Sequence, residues 1–508
     1  MIGLDICRTV HHADTEEITL GETNADKAVE KITNNATGES IGEADFCKKA
    51  GTADMTVGNP LGHILRFMLP LLVGNLFQQF YNMVDSLVVG NFVGADALAA
   101  VGNCGSVVNC SFALVSGLTA GIGILVAQYF GAHNERKIRE AIANALYVLG
   151  VTAILTSILG IVFSSQIMRL LSTPERIMAD SVIYMRVTCA GILGMVFYNG
   201  VSAILRALGD SRTPLYFLIL SSIINVVLDL VFVLQFQWGV FGVGFATAVA
   251  QFVSAISCVI YAYKRMSYFR LRREELHPEK EMISRAFLLG VPLALQSAMI
   301  SLSCIVLQGV TNSFGESVMA ASTIINRIEL LVQQPFGSLG TALTTYAGQN
   351  IGAGNSERVK KGYRQSAAVA VGFGLLMIPV AHLFGETIVR AFVKEAEVIA
   401  IGTRALQINS LFYVFLGMIH VTRSVLNGCG DTGFALLNGM TEVVCRVGCS
   451  HALTSILALG YWGIWVTTGV TWAATATVCV LRYCTGIWKR KGMKEMKATE
   501  TENVDEKL

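Results

Sequence analysis

The stretch Pro214–Phe236 reads PLYFLILSSIINVVLDLVFVLQF. It is apolar and long enough to cross a bilayer, yet it carries Asn225 and Asp229 four residues apart, so both project from one helical face. An ionised side chain near the bilayer centre costs at least ~2.5 kcal/mol on insertion scales. Such a group is kept where it faces a bundle interior and handles an ion, a proton or a substrate. An interhelical hydrogen bond would account for an amide alone. It does not account for an amide and a carboxylate beside a second buried acid, Asp85.

The rest of the chain fits that setting. Of 508 residues, 53% are hydrophobic and 15% charged, with a mean hydropathy of +0.56. Soluble proteins carry about a quarter charged residues, so this is an all-α membrane protein in the making. A net charge of +2 singles out no partner, and no nucleic-acid partner is expected. The cysteines are scattered through apolar runs without CxxC pairs or zinc-like Cys/His spacing, so neither a disulfide framework nor a metal site is implied. Residues 1–58 are polar and aperiodic, without the apolar core of a signal peptide, and read as a disordered cytoplasmic tail. Met55 is a plausible alternative start within it.

Hydropathy gives twelve spans, near residues 61–89, 96–129, 138–163, 178–207, 214–236 and 240–264, then 284–311, 317–349, 362–385, 398–427, 434–458 and 462–487. They divide the chain into an amino-terminal lobe over 59–266, a basic linker over 267–283, a carboxyl-terminal lobe over 284–488 and a tail over 489–508. Several spans exceed the ~20 residues a bilayer needs, which points to tilt or bending. Arg136, Lys137, Arg139, Lys264, Arg265, Arg358, Lys360 and Lys361 fall in loops on one side, and the opposite short loops are nearly free of Lys and Arg. Arg169, Arg176, Arg390 and Lys394 are exceptions. The bias puts both termini in the cytoplasm of a plasma-membrane protein.

The halves echo each other at an offset of 221 residues. Gly94 answers to Gly315, Gly209-Asp210 to Gly430-Asp431, and AQYFGAHN (Ala127–Asn134) to GQNIGAGN (Gly348–Asn355). Each half crosses an even number of times, so the repeat is parallel, about an axis along the membrane normal. Two like bundles around a cleft suit a carrier better than a pore. The buried polar groups, however, are not repeated: Asn225 answers to Arg446 and Asp229 to Ser450.

In the first span Asn75, Gln78, Asn82 and Asp85 form one polar stripe. Asn199 lies in the fourth span and Thr247 in the sixth. Two carboxylates in one low-dielectric pocket do not both ionise cheaply, so the pair can hold a proton. With Asn and Thr oxygens it can instead coordinate a hard monovalent cation such as Na+. The expectation leans to H+, for which two carboxylates suffice, whereas Na+ needs a fuller oxygen shell. Asn326, Glu329 and Gln333 make a second stripe in the eighth span, and Glu442 precedes Arg446 by four residues, the favourable order for an ion pair. Glu329 has no obvious partner and is the better candidate to meet a cationic substrate. Gln78, Asn82 and Gln333 are candidates for the substrate cleft or its gates; Glu442 and Arg446 read first as a neutralised structural pair and second as part of the cleft or a gate.

These residues resemble the multidrug and toxic compound extrusion (MATE) family. The likeness rests on LPLLVGNLFQQFYNMVDSLVVGNFVG (Leu69–Gly94), AQYFGAHN, ILRALGDSRTP (Ile204–Pro214), the Asn225…Asp229 pair and GQNIGAGN, and covers residues ~58–488. It implies two six-helix lobes exporting organic cations or drugs in exchange for Na+ or H+. It also implies an ion site made of Asp85, Asn199, Asn225, Asp229 and Thr247. Carboxylates that some relatives place in the seventh and tenth spans are missing here, so a carboxyl-lobe ion site of that kind is not expected.

No nucleophile elbow, P-loop or metal cluster argues for an enzyme, and no cofactor is expected beyond the coupling ion. The rival readings are a flippase of lipid-linked precursors and an exporter of an endogenous metabolite. A flippase for polyanionic headgroups needs several basic residues in its cleft, and only Arg327, Arg423 and Arg446 read as buried. A small organic, cationic cargo and a monomeric carrier are therefore expected.

Overall fold

The first span begins where its sequence says a helix should. Asn59 caps α1 (Pro60–Val88) by accepting from the Leu61 amide, with Pro60 fitting the first turn. The computed structural model describes residues 54–456 and 459–491. After α1 come α2 (Ala95–Gly131), α3 (Glu135–Val162), the short α4 (Ser164–Leu170), α5 (Glu175–Ala207), α6 (Arg212–Leu230) and α7 (Gly239–Arg265). The second half contains α8 (Lys280–Asn312), α9 (Glu316–Gly352), α10 (Ser356–Arg390), α11 (Ala396–Ser410), α12 (Tyr413–Gly428), α13 (Gly433–Thr454) and α14 (Gly463–Cys484). Among the described residues nine helices are long and apolar enough to cross a membrane, or ten with α11 and α12 taken as one bent span. The polar residues of α9 and α13 keep those two below that measure, and they complete the twelve.

The tenth span is not continuous. It breaks after Ser410 and bends by 49° between α11 and α12. The expected spans also omit α4, which packs on α5. Among the exceptional basic residues, Arg176 pairs with Asp96 at 2.6 Å, and Arg390 pairs with Glu386 one turn away. Arg327 is exposed, not buried as expected.

The repeat is visible atom by atom. Asn134 and Asn355 each cap the next helix at 3.1 Å, on the Lys137 and Arg358 amides. Gly209 and Gly430 end α5 and α12 with φ of 91° and 82°, a conformation that suits glycine. The lobes meet where the two repeated motifs face each other. Gln128 Nε2 donates to the Gly428 carbonyl at 3.0 Å, and its counterpart Gln349 donates to the Ala207 carbonyl at 2.9 Å. Between them the backbones almost touch: a Cβ on Gly131 would stand 1.8 Å from the Gln349 carbonyl oxygen, and one on Gly352 2.0 Å from that of Gln128. Farther along α2, Gly117 and Gly121 press on Ala294 and Gly290 of α8 in the same way, the small-residue contact favoured between helices in lipid.

Most of the expected amino-terminal tail lies outside the described residues, as does residues 492–508 of the carboxyl tail. Residues 54–58, assigned to that tail, are instead fastened to the carboxyl-terminal half. Met55 is 2% exposed, its amide donates to Gln349 Oε1 at 2.9 Å, and its carbonyl accepts from Asn350 and Arg358. The basic linker is likewise held: the Glu279 amide donates to Asn144 Oδ1 at 2.8 Å and Tyr147 reaches the Leu276 carbonyl.

The glycine contact gives a direct test. Gly131→Ala or Gly352→Ala drives a methyl group into backbone that cannot rotate away, so each is expected to destabilise the protein by about 1–3 kcal/mol. Gly150→Ala, with nothing within 4 Å of the new methyl, is expected to be neutral or mildly stabilising. Thermal melting of the purified protein in detergent reads the difference, and equal midpoints for the three variants would refute the contact.

Candidate functional site

The amino-terminal cluster is built from four helices. α1 brings Tyr81 and Asp85, α5 brings Tyr184, α6 brings Asn225 and Asp229, and α7 brings Thr247. Asp229 and Asn225 are 0% and 1% exposed, although no base accompanies them. The Asp85 and Asp229 side chains are near enough to act on each other, and two adjacent carboxyls in such surroundings share a proton more cheaply than they both ionise. Each also keeps a buried Oδ1 that no protein donor reaches. The Asn225 amide lies 3.2 Å from Thr247 Oγ1. Both its ends are satisfied when the oxygen faces Thr247 and the nitrogen donates to Asp229 Oδ2 at 2.9 Å and to the Tyr81 hydroxyl at 3.3 Å.

Just beyond each acid the helix widens into a π turn, Val89–Val93 after Asp85 and Val231–Gln235 after Asp229, and the two turns pack on each other. Such turns shift the register of everything after them and recur at functional sites. Asn199 stands apart. It donates to the Met195 carbonyl of its own helix at 2.8 Å and makes no bond to the four other candidates among the described residues.

Asn199 instead lines a cavity of about 430 Å³ between the halves, together with Gln78, Met195 and Tyr198. Asn75 reaches across to Ser338 at 3.1 Å, and Thr341, Thr344 and Thr345 of α9 form the far wall. The wall is rich in amides and hydroxyls and holds no carboxylate, and its charged residue is Arg206. Asn82 lies exposed on α1, outside this lining.

A second cavity of about 420 Å³ opens within the carboxyl-terminal half and collects Glu329, Gln333, Glu442 and Arg446. Glu442 and Arg446 pair at 3.2 Å, both buried, and Arg446 also touches Cys304 Sγ at 2.6 Å. Glu329 is not without a partner: Asn409, beside the break between α11 and α12, donates to it. Tyr81 was legible, one turn before Asp85 on the same face. Tyr184 and Asn409 carried no signal, since each stands among other polar residues, Ser181 and Arg186 around the first and Gln407 and Ser410 around the second, and no spacing singles it out.

Two six-helix halves around a polar cleft, with a base-free pair of acids buried in one of them, define a membrane carrier. The MatE family profile matches residues 70–231 and 292–448, and the chain belongs to that family of multidrug efflux transporters. It is 29% identical over 440 residues to the probable multidrug resistance protein YpnP of Bacillus subtilis, covering 86% of this chain and 97% of that one. It is 23% identical to the probable multidrug resistance protein NorM of Thermotoga maritima, over 85% of this chain and 93% of the relative. A solved outward-facing multidrug resistance MATE transporter superposes with a TM-score of 0.79 at 24% identity, over 87% of this chain and 98% of that one. A Pyrococcus furiosus transporter of the MOP superfamily, described as having a binding pocket of reverse polarity, gives 0.79 at 25% identity with the same coverage.

The buried ion pair in the second cavity yields a test of its own. Glu442→Gln leaves the Arg446 guanidinium uncompensated and is expected to cost about 3–5 kcal/mol. The double variant Glu442→Leu/Arg446→Met removes both charges and is expected to regain most of that loss. Denaturation of the purified proteins decides it, and additive losses would show that the two side chains do not act as a pair.

Proposed function

We propose that the protein is a secondary antiporter of the plasma membrane that exports small organic compounds in exchange for H+. The observation that carries this reading is the contact between Asp85 and Asp229, buried together without a base. A proton is the smallest partner that relieves two such carboxyls.

In this reading Asp85, Asn225, Asp229 and Thr247 form the coupling site, while Asn199 and Gln78 face the cargo from the inter-lobe cavity. The lobes comprise residues 59–266 and 284–488, hinged by the linker 267–283, and work within one monomer. Both termini are cytoplasmic, so the Gly131–Gly352 contact is the closed cytoplasmic gate. The cargo carries a cationic group, for which Glu329 is the available counter-charge. Alternating access then follows from parting and rejoining the two lobes about that gate.

Asp85→Asn and Asp229→Asn each preserve shape and lower the burial cost, so both proteins are expected to fold and reach the membrane while export falls to background. Wild-type protein in proteoliposomes is expected to move a fluorescent organic cation under an imposed pH gradient at zero Na+. Strict dependence on a Na+ gradient, with no response to pH, would overturn the choice of ion. Undiminished export by either Asn variant would overturn the site.

A further inference from the structure

The basic side of the molecule is not charged alike in its two halves. Where α3 begins, Arg136 and Lys137 both pair with Glu140, at 2.7 and 3.3 Å. Arg139 lies between Glu135 at 3.6 Å and Glu275 at 3.8 Å. Bases and acids balance there. α10 begins at the equivalent place in the second half, but at the repeat offset Lys361 stands where Glu140 does. Glu357 is paired with Lys360, and Lys489 and Arg364 are near enough to act on it as well. Its side chain is 76% exposed, so it does little to offset three cations.

Two lysines then meet. Lys360 from α10 and Lys489 from the segment after α14 are near enough to act on each other, and like charges brought together are unfavourable without an anion between them. The fold itself positions Lys489. The chain turns at Gly486, with φ of 69°, and tucks in Trp488, which is 1% exposed. The Trp488 indole stacks on Tyr483, and Tyr483 stacks on Tyr363 of α10. The Lys489 ammonium lies 5.7 Å over that indole. Lys491, two residues on, is engaged by the buried Asp431 together with Arg482. A bias of basic residues toward one side of the membrane explains their number. It does not explain two lysines held together on an anchored scaffold while the sister lobe neutralises its own.

We infer that Lys360, Arg364 and Lys489 form a site for the phosphate headgroup of an anionic phospholipid, which fastens the segment after α14 to the start of α10. A phosphate diester set between the two ammoniums replaces repulsion by charge-assisted hydrogen bonds. Lys361 and Arg490, both exposed beside the cluster, add to the attraction. Free phosphate offers the same chemistry, but the cluster lies where two membrane-crossing helices end, the depth at which lipid phosphates are concentrated. The inference goes beyond the export reading and rests on it only for the leaflet, the cytoplasmic one, that supplies the lipid.

The full-length protein in nanodiscs of equal parts phosphatidylglycerol and phosphatidylcholine tests it, with the lipids retained on release counted by native mass spectrometry. Wild type is expected to retain phosphatidylglycerol over phosphatidylcholine by about tenfold or more. Lys360→Gln/Lys489→Gln is expected to lose most of that preference, and Lys360→Arg/Lys489→Arg to keep it. Lys264→Gln/Arg265→Gln, which removes two exposed charges at the end of α7, is expected to keep it too. No preference in the wild type, an undiminished one in the first variant, or an equal loss in the α7 variant would overturn the inference. So would a preference that emerges only once residues 492–508 are removed, because the chain's own acidic tail would then be the occupant. Inorganic phosphate that raises the melting midpoint in phosphatidylcholine discs as much as phosphatidylglycerol does would assign the site to the free ion and overturn the lipid. None of these measurements needs an ion gradient, so failed proton coupling leaves this inference standing, and its failure leaves that proposal standing.

Discussion

At Gly131 and Gly352 two helices of different lobes touch through backbone, with no side chain between them. Everything at that end depends on this approach. Only with the backbones this close does Gln128 reach the end of α12 and Gln349 the end of α5, so each lobe donates to the other's last helical turn. A terminal carbonyl has no partner within its own helix and would otherwise be left to water or to a costly vacancy. The exchange satisfies both at once. Gln349 has a second role, accepting from Met55 with its oxygen, so the segment ahead of α1 is fastened to the same junction.

The two halves share this scaffold but not their chemistry. Helix caps, glycine turns and the glutamine exchange are all duplicated. Such features answer to geometry, which both copies must satisfy in the same way. The polar clusters inside the lobes are not duplicated: the first sets Asp85 and Asp229 together without a base, and the second gathers Glu329 and Glu442 around one cavity with Arg423 and Arg446. Where Asn225 stands in the first copy, the second has Arg446, and the cavity around that position changes from an acid pair into a field with both signs.

How much of this the sequence could show follows the range of the forces involved. Helices and their ends were legible to within a few residues, because apolar length and capping are local. The lobe repeat was legible because motifs survived in order. The faces of Asn225, Asp229 and Asp85 followed from a 3.6-residue period. That same period could have placed Arg327 on the outside, since residues two apart point to nearly opposite sides of a helix and Glu329 is inside. What stayed hidden was the satisfaction of single polar groups. Asn199 spends its amide on its own helix and so stands away from the acids, and Asn409 meets Glu329 only because the tenth span breaks beside it. Neither is written in composition or spacing.

Helix α1 joins these parts physically. Along one helix it offers Asn75 to the opposite lobe, Gln78 to the inter-lobe cavity and Asp85 to the acid pair, and past Asp85 it runs into a π turn packed on the one that follows Asp229. On the proposed reading, a proton arriving between Asp85 and Asp229 changes repulsion into attraction, and α1 and α6 gain a reason to close on each other. Gln78 rides on the same rigid element, so the cavity wall shifts with the acids although no cargo touches them. Ion and cargo then compete for positions of α1, not for shared atoms. The low dielectric that makes the unpaired acids expensive is also what makes one proton strong enough to move a helix.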